Sequence, residues 1–312
     1  MSMKVYDVVR RYWNEQGAQI YDRINWINRE KMKETLLKYL GIDKKGVILD
    51  FGTGTGFLAS ILAEAGYKKI IGVDINEHML HIAKEKLAGY SVKLVQGDGL
   101  HLPIADNSID AVVSRWVLWV MPNPERAIEE MVRVTRPGGV ILTLESDNAK
   151  EWKKPSLRRK LSGFPIRHLY SLYLEKVLGK HRGLTTKQFW KETEGKLPLY
   201  SLDEYVKIFN QKGLMHIVRT DEEDYGTLRA KLVFGGFKFS LIRGIKPGRT
   251  SKGITRNQEW EENELLRIIV CPLCHSSLAI KDEIGYECKR CGKTYPIKHE
   301  IPILLPPEDL LQ

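Results

Sequence analysis

The stretch Val47-Ile-Leu-Asp-Phe-Gly-Thr-Gly-Thr-Gly56 decides the fold. It begins as a short apolar run, typical of a buried strand in a parallel sheet, and ends with a glycine at every second position. Glycine adopts backbone angles that other residues avoid, and it lets a ligand approach the chain closely. The stretch therefore predicts a strand, a tight turn and the start of a helix, with a ligand site at the carboxyl end of the strand.

Strands and helices alternate along the chain after this turn. Four further apolar runs have the length of buried strands: Ile70–Asp74, Val92–Gln96, Ile109–Ser114 and Gly139–Glu145. Segments with apolar residues at helical spacing separate most of them, as in a series of parallel β-α units. With further strands near 215–221 and 235–243, the pattern predicts an α/β fold. We expect a Rossmann-like, mostly parallel sheet of seven strands with helices on both faces.

Four parts are predicted along the chain. They are an N-terminal helical cap over residues 1–45, the α/β domain over 46–245, a linker over 246–266 and a small cysteine-containing module over 267–312. A basic insert occupies about 148–200 within the α/β domain. The stretch 246–258, KPGRTSKGITRNQ, is rich in glycine and basic residues, which is typical of an exposed linker.

Composition narrows the class of protein. No apolar run approaches the roughly 20 residues that cross a membrane, and the N-terminal residues are too polar for a secretory signal. The net charge of +10 favours a polyanionic partner. We therefore expect a cytoplasmic protein without a membrane partner.

The glycine turn resembles motif I of the class I S-adenosylmethionine-dependent methyltransferases, of the kind that carries a type 11 methyltransferase domain. Its three glycines alternate, whereas the dinucleotide-binding turn reads G-x-G-x-x-G. Other stretches resemble the same family in the same order: the acid that ends Ile70–Asp74, Gly97-Asp98-Gly99, the LPIADNSID of Leu102–Asp110 and the RPGG of Arg136–Gly139. A dehydrogenase would also have an acid at the position of Asp74, but the stretches after Asp74 do not match the dehydrogenase pattern.

This resemblance implies a site for S-adenosylmethionine. The expected cofactor contacts are Asp50, Gly52, Thr53, Gly54, Gly56, Asp74, Ile75, Asp98, Gly99 and Leu100. Asp74 would hold the ribose hydroxyls, Ile75 and Leu100 would enclose the adenine, and Asp98 would meet the adenine amine. Tyr21, on an N-terminal helix, would close over the cofactor, with a place in the hydrophobic core as the equal alternative.

All four cysteines lie in two C-x-x-C pairs separated by 13 residues, Cys271 with Cys274 and Cys288 with Cys291. Thiolates from two such turns converge on Zn(II) in a closed tetrahedral site, so we expect a structural zinc ribbon, with a redox role as the lesser alternative. The tail Tyr295–Leu305 resembles the zinc-ribbon subunits that activate tRNA, rRNA and release-factor methyltransferases. That resemblance implies a ribbon that packs on the catalytic domain in cis through an added strand.

The basic insert points to RNA. Residues 150–198 contain thirteen Lys or Arg and four Glu, which suits phosphate binding. The predicted phosphate contacts are Lys153, Lys154, Arg158, Arg159 and Lys160. These features favour an RNA methyltransferase acting on rRNA, within the ribosome, or on tRNA.

The acceptor atom is inferred by elimination. Carbon-5 methylation of a pyrimidine needs a cysteine nucleophile, and the cysteines are assigned to zinc. A nitrogen or an oxygen acceptor remains. Of these we expect a base nitrogen, with the exocyclic amine of cytosine as first choice. Ser114, Trp116 and Asp98 are the catalytic candidates. Ser114 would accept a hydrogen bond from the amine, and Trp116 or Trp119 would stack a flipped base. Two alternatives stay open: a small-molecule methyltransferase of the quinone or metabolite type, which an apolar acceptor pocket would favour, and a non-catalytic activator of another methyltransferase.

Overall fold

The computed structural model describes residues 3–147, 186–234, 237–248, 259–261, 263–281 and 285–306. The helices are α1 Met3–Tyr12, α2 Glu15–Ile24, α3 Arg29–Leu40, α4 Phe57–Glu64, α5 Glu77–Lys86, α6 Pro124–Val134, α7 Thr186–Thr193, α8 Leu202–Gln211, α9 Leu228–Phe234 and α10 Glu264–Ile268. The strands are β1 Ile48–Phe51, β2 Ile70–Asp74, β3 Val92–Gly97, β4 Ile109–Arg115, β5 Thr135–Glu145, β6 Met215–Arg219, β7 Glu223–Asp224, β8 Lys238–Ile245, β9 Leu278–Lys281, β10 Gly285–Cys288, β11 Thr294–Lys298 and β12 Ile301–Leu304.

The predicted Rossmann-like sheet is confirmed. Strands β3, β2, β1, β4 and β5 lie side by side in parallel, and β8 and β6 follow β5 with antiparallel pairing. Every residue of β1 and β4 is buried, because helices cover both faces of the sheet. Neighbouring residues of β4 pack in opposite directions, with Val112 in one core cluster and Val113 in the other.

The strand count differs from the prediction. The sheet of the described residues has twelve strands rather than seven, because the ribbon strands β9–β12 continue it beyond β3 and the short β7 pairs with β8. Strand β12 runs parallel to β3, with Ile303 opposite Gln96 and Leu304 opposite Gly97. The edge of β3 would otherwise present unpaired backbone groups, and β12 pairs with them. Cys271 and Cys288 of the ribbon belong to the same core cluster as Val112.

The N-terminal cap consists of three helices. Asn14 and Asn28 start α2 and α3 by accepting hydrogen bonds from backbone N–H groups, and Gly41 ends α3 at φ 59°. The apolar face of α1 packs against α7 and Trp119. The cap therefore covers the carboxyl ends of the central strands.

The predicted linker over 246–266 is docked at both of its described ends. The ammonium of Lys246 donates hydrogen bonds to the carbonyl oxygens of Val132 and Thr135. At the other end Glu264 pairs with Lys69, whose side chain is 1% exposed, at 2.7 Å. The linker is therefore anchored to the sheet on either side of residues 249–258.

Two other predictions concern the basic insert and the membrane. The expected phosphate contacts Lys153, Lys154, Arg158, Arg159 and Lys160 lie outside the described residues. Among the residues that are described, no helix has the length and apolar character needed to cross a bilayer.

Candidate active site

A cleft that is partly open to solvent lies at the carboxyl ends of the central strands. Seven residues predicted from the sequence lie on its wall: Tyr21, Gly52, Gly54, Asp74, Ile75, Gly99 and Trp116. The wall also contains Trp119, the second tryptophan considered for base stacking. Its other apolar and aromatic side chains were not predicted as site residues: Val9, Trp13, Phe51, Val73, Met79, Val117, Val120 and Met121. The cleft thus has a glycine-rich wall with one acid and a second wall that is mostly apolar.

The glycine turn and Asp74 form the polar wall. Gly52 and Gly54 have φ values of 66° and 54°, which suit glycine. A Cβ atom on Gly52 would lie 2.5 Å from Cγ2 of Val117, so a larger residue does not fit there. The carboxylate of Asp74 accepts hydrogen bonds of 2.9 Å from the N–H groups of Gly54 and Asn76. Burial raises the pKa of Asp74 above its ordinary value.

Three of the predicted cofactor contacts lie behind the turn, off the cleft wall. Asp50 is 1% exposed, and its carboxylate accepts hydrogen bonds from Thr53 Oγ1 at 2.7 Å and from the N–H of Ala59 at 3.1 Å. Burial raises the pKa of Asp50 to about 6. Gly56, at φ 77°, precedes α4 and packs against Leu87. In this structure these residues shape the turn and leave the cleft wall to Gly52 and Gly54.

In the turn after β3, too, some predicted residues lie on the cleft wall and others lie behind it. Asp98 is fully buried, and its carboxylate binds the N–H of Leu100 at 3.0 Å and Nδ1 of His101 at 2.9 Å. Leu100 is 3% exposed and belongs to the core. Gly99 between them lies on the cleft wall. The side chain of Asp98 therefore holds this turn in place from behind.

Of the three catalytic candidates, Trp116 alone lies on the cleft wall. The side chain of Ser114 is fully buried, and its hydroxyl has no hydrogen-bond partner among the described residues. Ser114 sits beside Thr143 of β5 on one face of the sheet. The structure therefore does not bring Ser114, Trp116 and Asp98 together at one point of the cleft.

Arg115 is a cleft residue that was not predicted from the sequence. Its guanidinium lies 4.7 Å from the centre of the Phe57 ring and donates a hydrogen bond of 2.9 Å to the hydroxyl of Tyr21. Tyr21 is thereby fixed on the wall of the cleft. A basic residue as the last residue of a buried strand is the sequence signal that could have identified it.

Comparison with known proteins decides the family. Residues 49–143 match the family model described as a methyltransferase domain. A demethylmenaquinone methyltransferase of Staphylococcus aureus is 31% identical over 246 residues, which cover 75% of this chain and 91% of that protein. This chain belongs to the S-adenosylmethionine-dependent methyltransferases. The enzyme predicted from the sequence is confirmed, and the non-catalytic activator is not supported.

Solved structures agree on the fold of this methyltransferase. A chain of the complex that contains the Haloferax volcanii Trm112 methyltransferase activator superposes with a TM-score of 0.54 at 17% identity, over 78% of this chain and 99% of that chain. Phosphoethanolamine N-methyltransferase 2 of Haemonchus contortus gives 0.55 at 18% identity, over 78% and 60%. At such identities the likeness concerns the fold alone, and the resemblance of the ribbon to activator subunits stays a prediction.

The loop Trp116–Val120 of the methyltransferase is held from below by Glu145. This glutamate ends β5, is fully buried, and accepts hydrogen bonds from the N–H groups of Val117 at 3.3 Å and Leu118 at 3.2 Å. Burial raises the pKa of Glu145 to about 7. Trp116 and three other residues of this loop lie on the cleft wall. Glu145 therefore positions the wall, although its own side chain does not line the cleft.

The four predicted zinc ligands are brought together. The sulfur atoms of Cys271, Cys274, Cys288 and Cys291 all lie within 4.8 Å of one another, an arrangement that could hold a metal ion. The distance is 3.7 Å between Cys271 and Cys291 and 3.5 Å between Cys274 and Cys288. Tetrahedral zinc with bonds of about 2.3 Å places its sulfur ligands about 3.8 Å apart, so the donor set and its spacing fit this ion.

Proposed function

We propose that this methyltransferase transfers the methyl group of S-adenosylmethionine to a small, flat, largely apolar molecule bound in the cleft. The observation that carries the proposal is the composition of the cleft wall opposite the glycine turn. Its side chains come from α1, from the residue that follows α1 and from the loop after β4, and they are Val9, Trp13, Trp116, Val117, Trp119, Val120 and Met121. Wide apolar and aromatic surfaces beside a few polar groups are typical of small-molecule sites.

The polar wall suits the cofactor. Asp74 would accept hydrogen bonds from the ribose hydroxyls, and Gly52 and Gly54 would let the methionine part approach the backbone. Ile75 and Gly99 would lie against the adenine, with Leu100 and Asp98 supporting that turn from behind. Asp50, Thr53 and Gly56 would act through the shape of the turn. The cofactor supplies an electrophilic methyl group on a sulfonium cation, which the aromatic faces nearby would also stabilise.

The chain's own residues would orient the acceptor and exclude water. Val9 is 6% exposed, Trp119 is 7% exposed and Met121 is 6% exposed, so this part of the far wall is packed against the protein interior. Helix α1 covers this part of the cleft, which favours a compact acceptor over an extended polymer. The Staphylococcus aureus relative is named for demethylmenaquinone, a quinone and not a nucleic acid, which agrees with this choice.

RNA methylation is the second candidate, and the charge of the insert favours it. Thirteen Lys or Arg against four Glu in residues 150–198 would suit a phosphate backbone, including that of rRNA or tRNA. Burial of Ser114 removes the side chain that was expected to bind a cytosine amine. The base-nitrogen acceptor therefore has less support than the small molecule.

For the ribbon we propose a structural zinc ion held by Cys271, Cys274, Cys288 and Cys291. A closed set of four thiolates leaves no open coordination position for catalysis. Zinc would fix a module whose strands join the catalytic sheet at β3, so the ribbon would support the catalytic domain in cis.

Radioactive methyl transfer separates the two candidate functions. The enzyme is incubated with S-adenosylmethionine labelled on the methyl group, together with either an organic-solvent extract or total RNA from the source cells. We expect label in the organic extract and none in the RNA. Label confined to RNA would overturn the small-molecule proposal, and an Asp74→Ala variant serves as the control for enzyme-dependent transfer.

A further inference from the structure

We infer that the guanidinium group of Arg115 binds the carboxylate in the methionine part of S-adenosylmethionine. The inference rests on the proposed function, because it assumes that the methionine part lies beside Gly52 and Gly54. It adds the group that recognises the anionic end of the cofactor, since none of the cofactor contacts predicted from the sequence carries a positive charge.

Arg115 is a buried cation without an ion pair. The residue is 8% exposed and lies on the cleft wall. Among the described residues, its guanidinium donates one hydrogen bond, to the uncharged hydroxyl of Tyr21, and no carboxylate oxygen lies within 4.0 Å of it. Arginine is almost never buried unless it is paired, because burial removes the charge from water. An anionic group bound in the cleft would provide the partner.

The two buried acids near Arg115 are engaged by other donors. Asp50 accepts hydrogen bonds from Thr53 and from the N–H of Ala59, and Glu145 binds N–H groups of the loop after β4. Burial raises the pKa of Asp50 to about 6 and that of Glu145 to about 7, so both carry less than a full negative charge at neutral pH. Neither acid replaces a ligand carboxylate as the partner of the guanidinium.

The guanidinium is held next to the glycine turn. Strand β4 pairs in parallel with β1 through Ser114, so Arg115 lies level with Gly52, the first glycine of the turn. Its Cζ atom lies 4.7 Å from the ring centre of Phe57, which begins the helix that follows the turn. The hydroxyl of Tyr21 holds it from the side of α2. The positive charge is therefore fixed beside the place that the proposed function gives to the methionine part.

The charges of the cofactor decide which of its groups meets Arg115. S-adenosylmethionine carries two positive groups, the sulfonium and the ammonium, and one negative group, the carboxylate. A guanidinium beside the sulfonium would repel it, whereas a guanidinium and a carboxylate match in shape and form two parallel hydrogen bonds. Arg115 would therefore orient the cofactor as well as bind it.

The test compares S-adenosylmethionine with decarboxylated S-adenosylmethionine, which lacks only the carboxylate. Dissociation constants are measured by isothermal titration calorimetry with the full chain. We expect the wild type to bind S-adenosylmethionine about tenfold to hundredfold more tightly, as for a hydrogen-bonded charged pair. Arg115→Gln should weaken binding of S-adenosylmethionine and strengthen binding of the decarboxylated compound, because the substitution removes the repulsion between two cations. A purely structural role of Arg115 would weaken both.

Two further variants complete the comparison. Arg219→Gln removes an exposed arginine outside the cleft and should leave both affinities unchanged. Tyr21→Phe removes the hydrogen bond that orients the guanidinium, so it should weaken binding of S-adenosylmethionine about threefold and spare the decarboxylated compound.

Equal binding of the two compounds by the wild type would overturn the inference and leave the proposed function standing. Parallel weakening of both compounds in Arg115→Gln would also overturn it. If circular dichroism shows that Arg115→Gln does not fold, Tyr21→Phe decides by the same criterion. Failure of the wild type to bind either compound would overturn the inference and the proposed function together.

Discussion

The carboxylate of Glu145 lies 3.2 Å from the backbone nitrogen of Leu118, so a buried acid at the end of one strand fixes the loop that follows its neighbour. The loop carries Trp116, Val117, Trp119 and Val120 to the cleft. This contact links the stability of the sheet to the shape of the apolar wall, and it makes both depend on the charge of one side chain.

We expect the stability of the protein to fall as pH rises from about 4.5 to about 7. Glu145 has an ordinary pKa of 4.5 and a folded value of about 7, so the folded state holds its proton more tightly and gains stability at low pH. Asp50 acts in the same direction, from 3.8 to about 6. Each acid contributes a slope of at most about 1.4 kcal/mol per pH unit. Glu145→Gln should flatten the slope in urea titrations between pH 5 and 8, and an unchanged slope would refute this assignment.

Asp74→Ala should weaken S-adenosylmethionine binding by about 1.5–3 kcal/mol, the usual range for hydrogen bonds to a charged group. The mutation also removes the carboxylate that accepts a hydrogen bond from the N–H of Gly54 in the wild type. Isothermal titration calorimetry gives the affinity. Asp203→Ala, which removes a carboxylate that is 79% exposed, is the control and should bind as the wild type does. If Asp74→Ala binds S-adenosylmethionine as tightly as the wild type, the ribose does not bind to Asp74.

Gly52→Ala and Gly41→Ala form a matched pair. Both positions have positive φ, 66° and 59°, so both substitutions carry a backbone cost of about 1–2 kcal/mol. A Cβ at Gly52 would meet Val117, whereas one at Gly41 meets nothing within 4 Å. We therefore expect both variants to lose stability, and Gly52→Ala alone to lose cofactor affinity. Normal affinity in Gly52→Ala would show that the Val117 contact does not shape the site.

Elemental analysis should find about one zinc ion per chain, and Cys288→Ser should release it. Loss of the metal should unfold the ribbon, because metal binding supplies the folding energy of such small modules. The edge of β3 would lose its partner, so hydrogen exchange should quicken at Gly97 and in the segment after it, which pairs with Ile269 and Val270. Protein purified without chelators that contains no zinc would contradict the site.

Replacing Lys153, Lys154, Arg158 and Arg159 by Gln should weaken RNA binding without changing methyl transfer to the small acceptor. Each lost phosphate contact should lower the salt slope by about 0.7 if the RNA is single-stranded. The measurement is RNA binding across a salt series, beside methyl transfer to the organic extract. Loss of methyl transfer in step with RNA affinity would favour the RNA enzyme instead.

Much of the fold could be predicted because its signals are local. The alternation of apolar runs with helical segments gives the parallel sheet, and the glycine turn gives the position of the cleft. The resemblance of the tail implied an added ribbon strand, but local signals do not tell which edge of the sheet it joins, because β12 meets β3 across some 200 residues of sequence. Such pairing depends on which sheet edge is free in three dimensions.

In the candidate site, too, local motifs predicted some residues correctly, whereas others depend on tertiary contacts. Gly54 and Asp74 belong to the predicted motifs and lie on the cleft wall, because the backbone of the turn brings them there. Asp50 and Ser114 were placed on strands correctly, but their side chains point into packed regions that the motif alone does not reveal. Glu145 was missed because nothing in its neighbourhood of sequence marks a contact with Leu118. Burial and hydrogen bonding of single side chains require the tertiary structure.

A crystal structure with S-adenosylhomocysteine tests the central claim most directly, namely that the cleft has a polar cofactor wall and an apolar acceptor wall. We predict ribose hydroxyls within hydrogen-bond distance of Asp74 and a sulfur atom that faces the loop Trp116–Val120, with free space between that loop and α1. A cofactor bound away from Asp74, or one that fills the space beside Trp116 and leaves no room for an acceptor, would contradict the account.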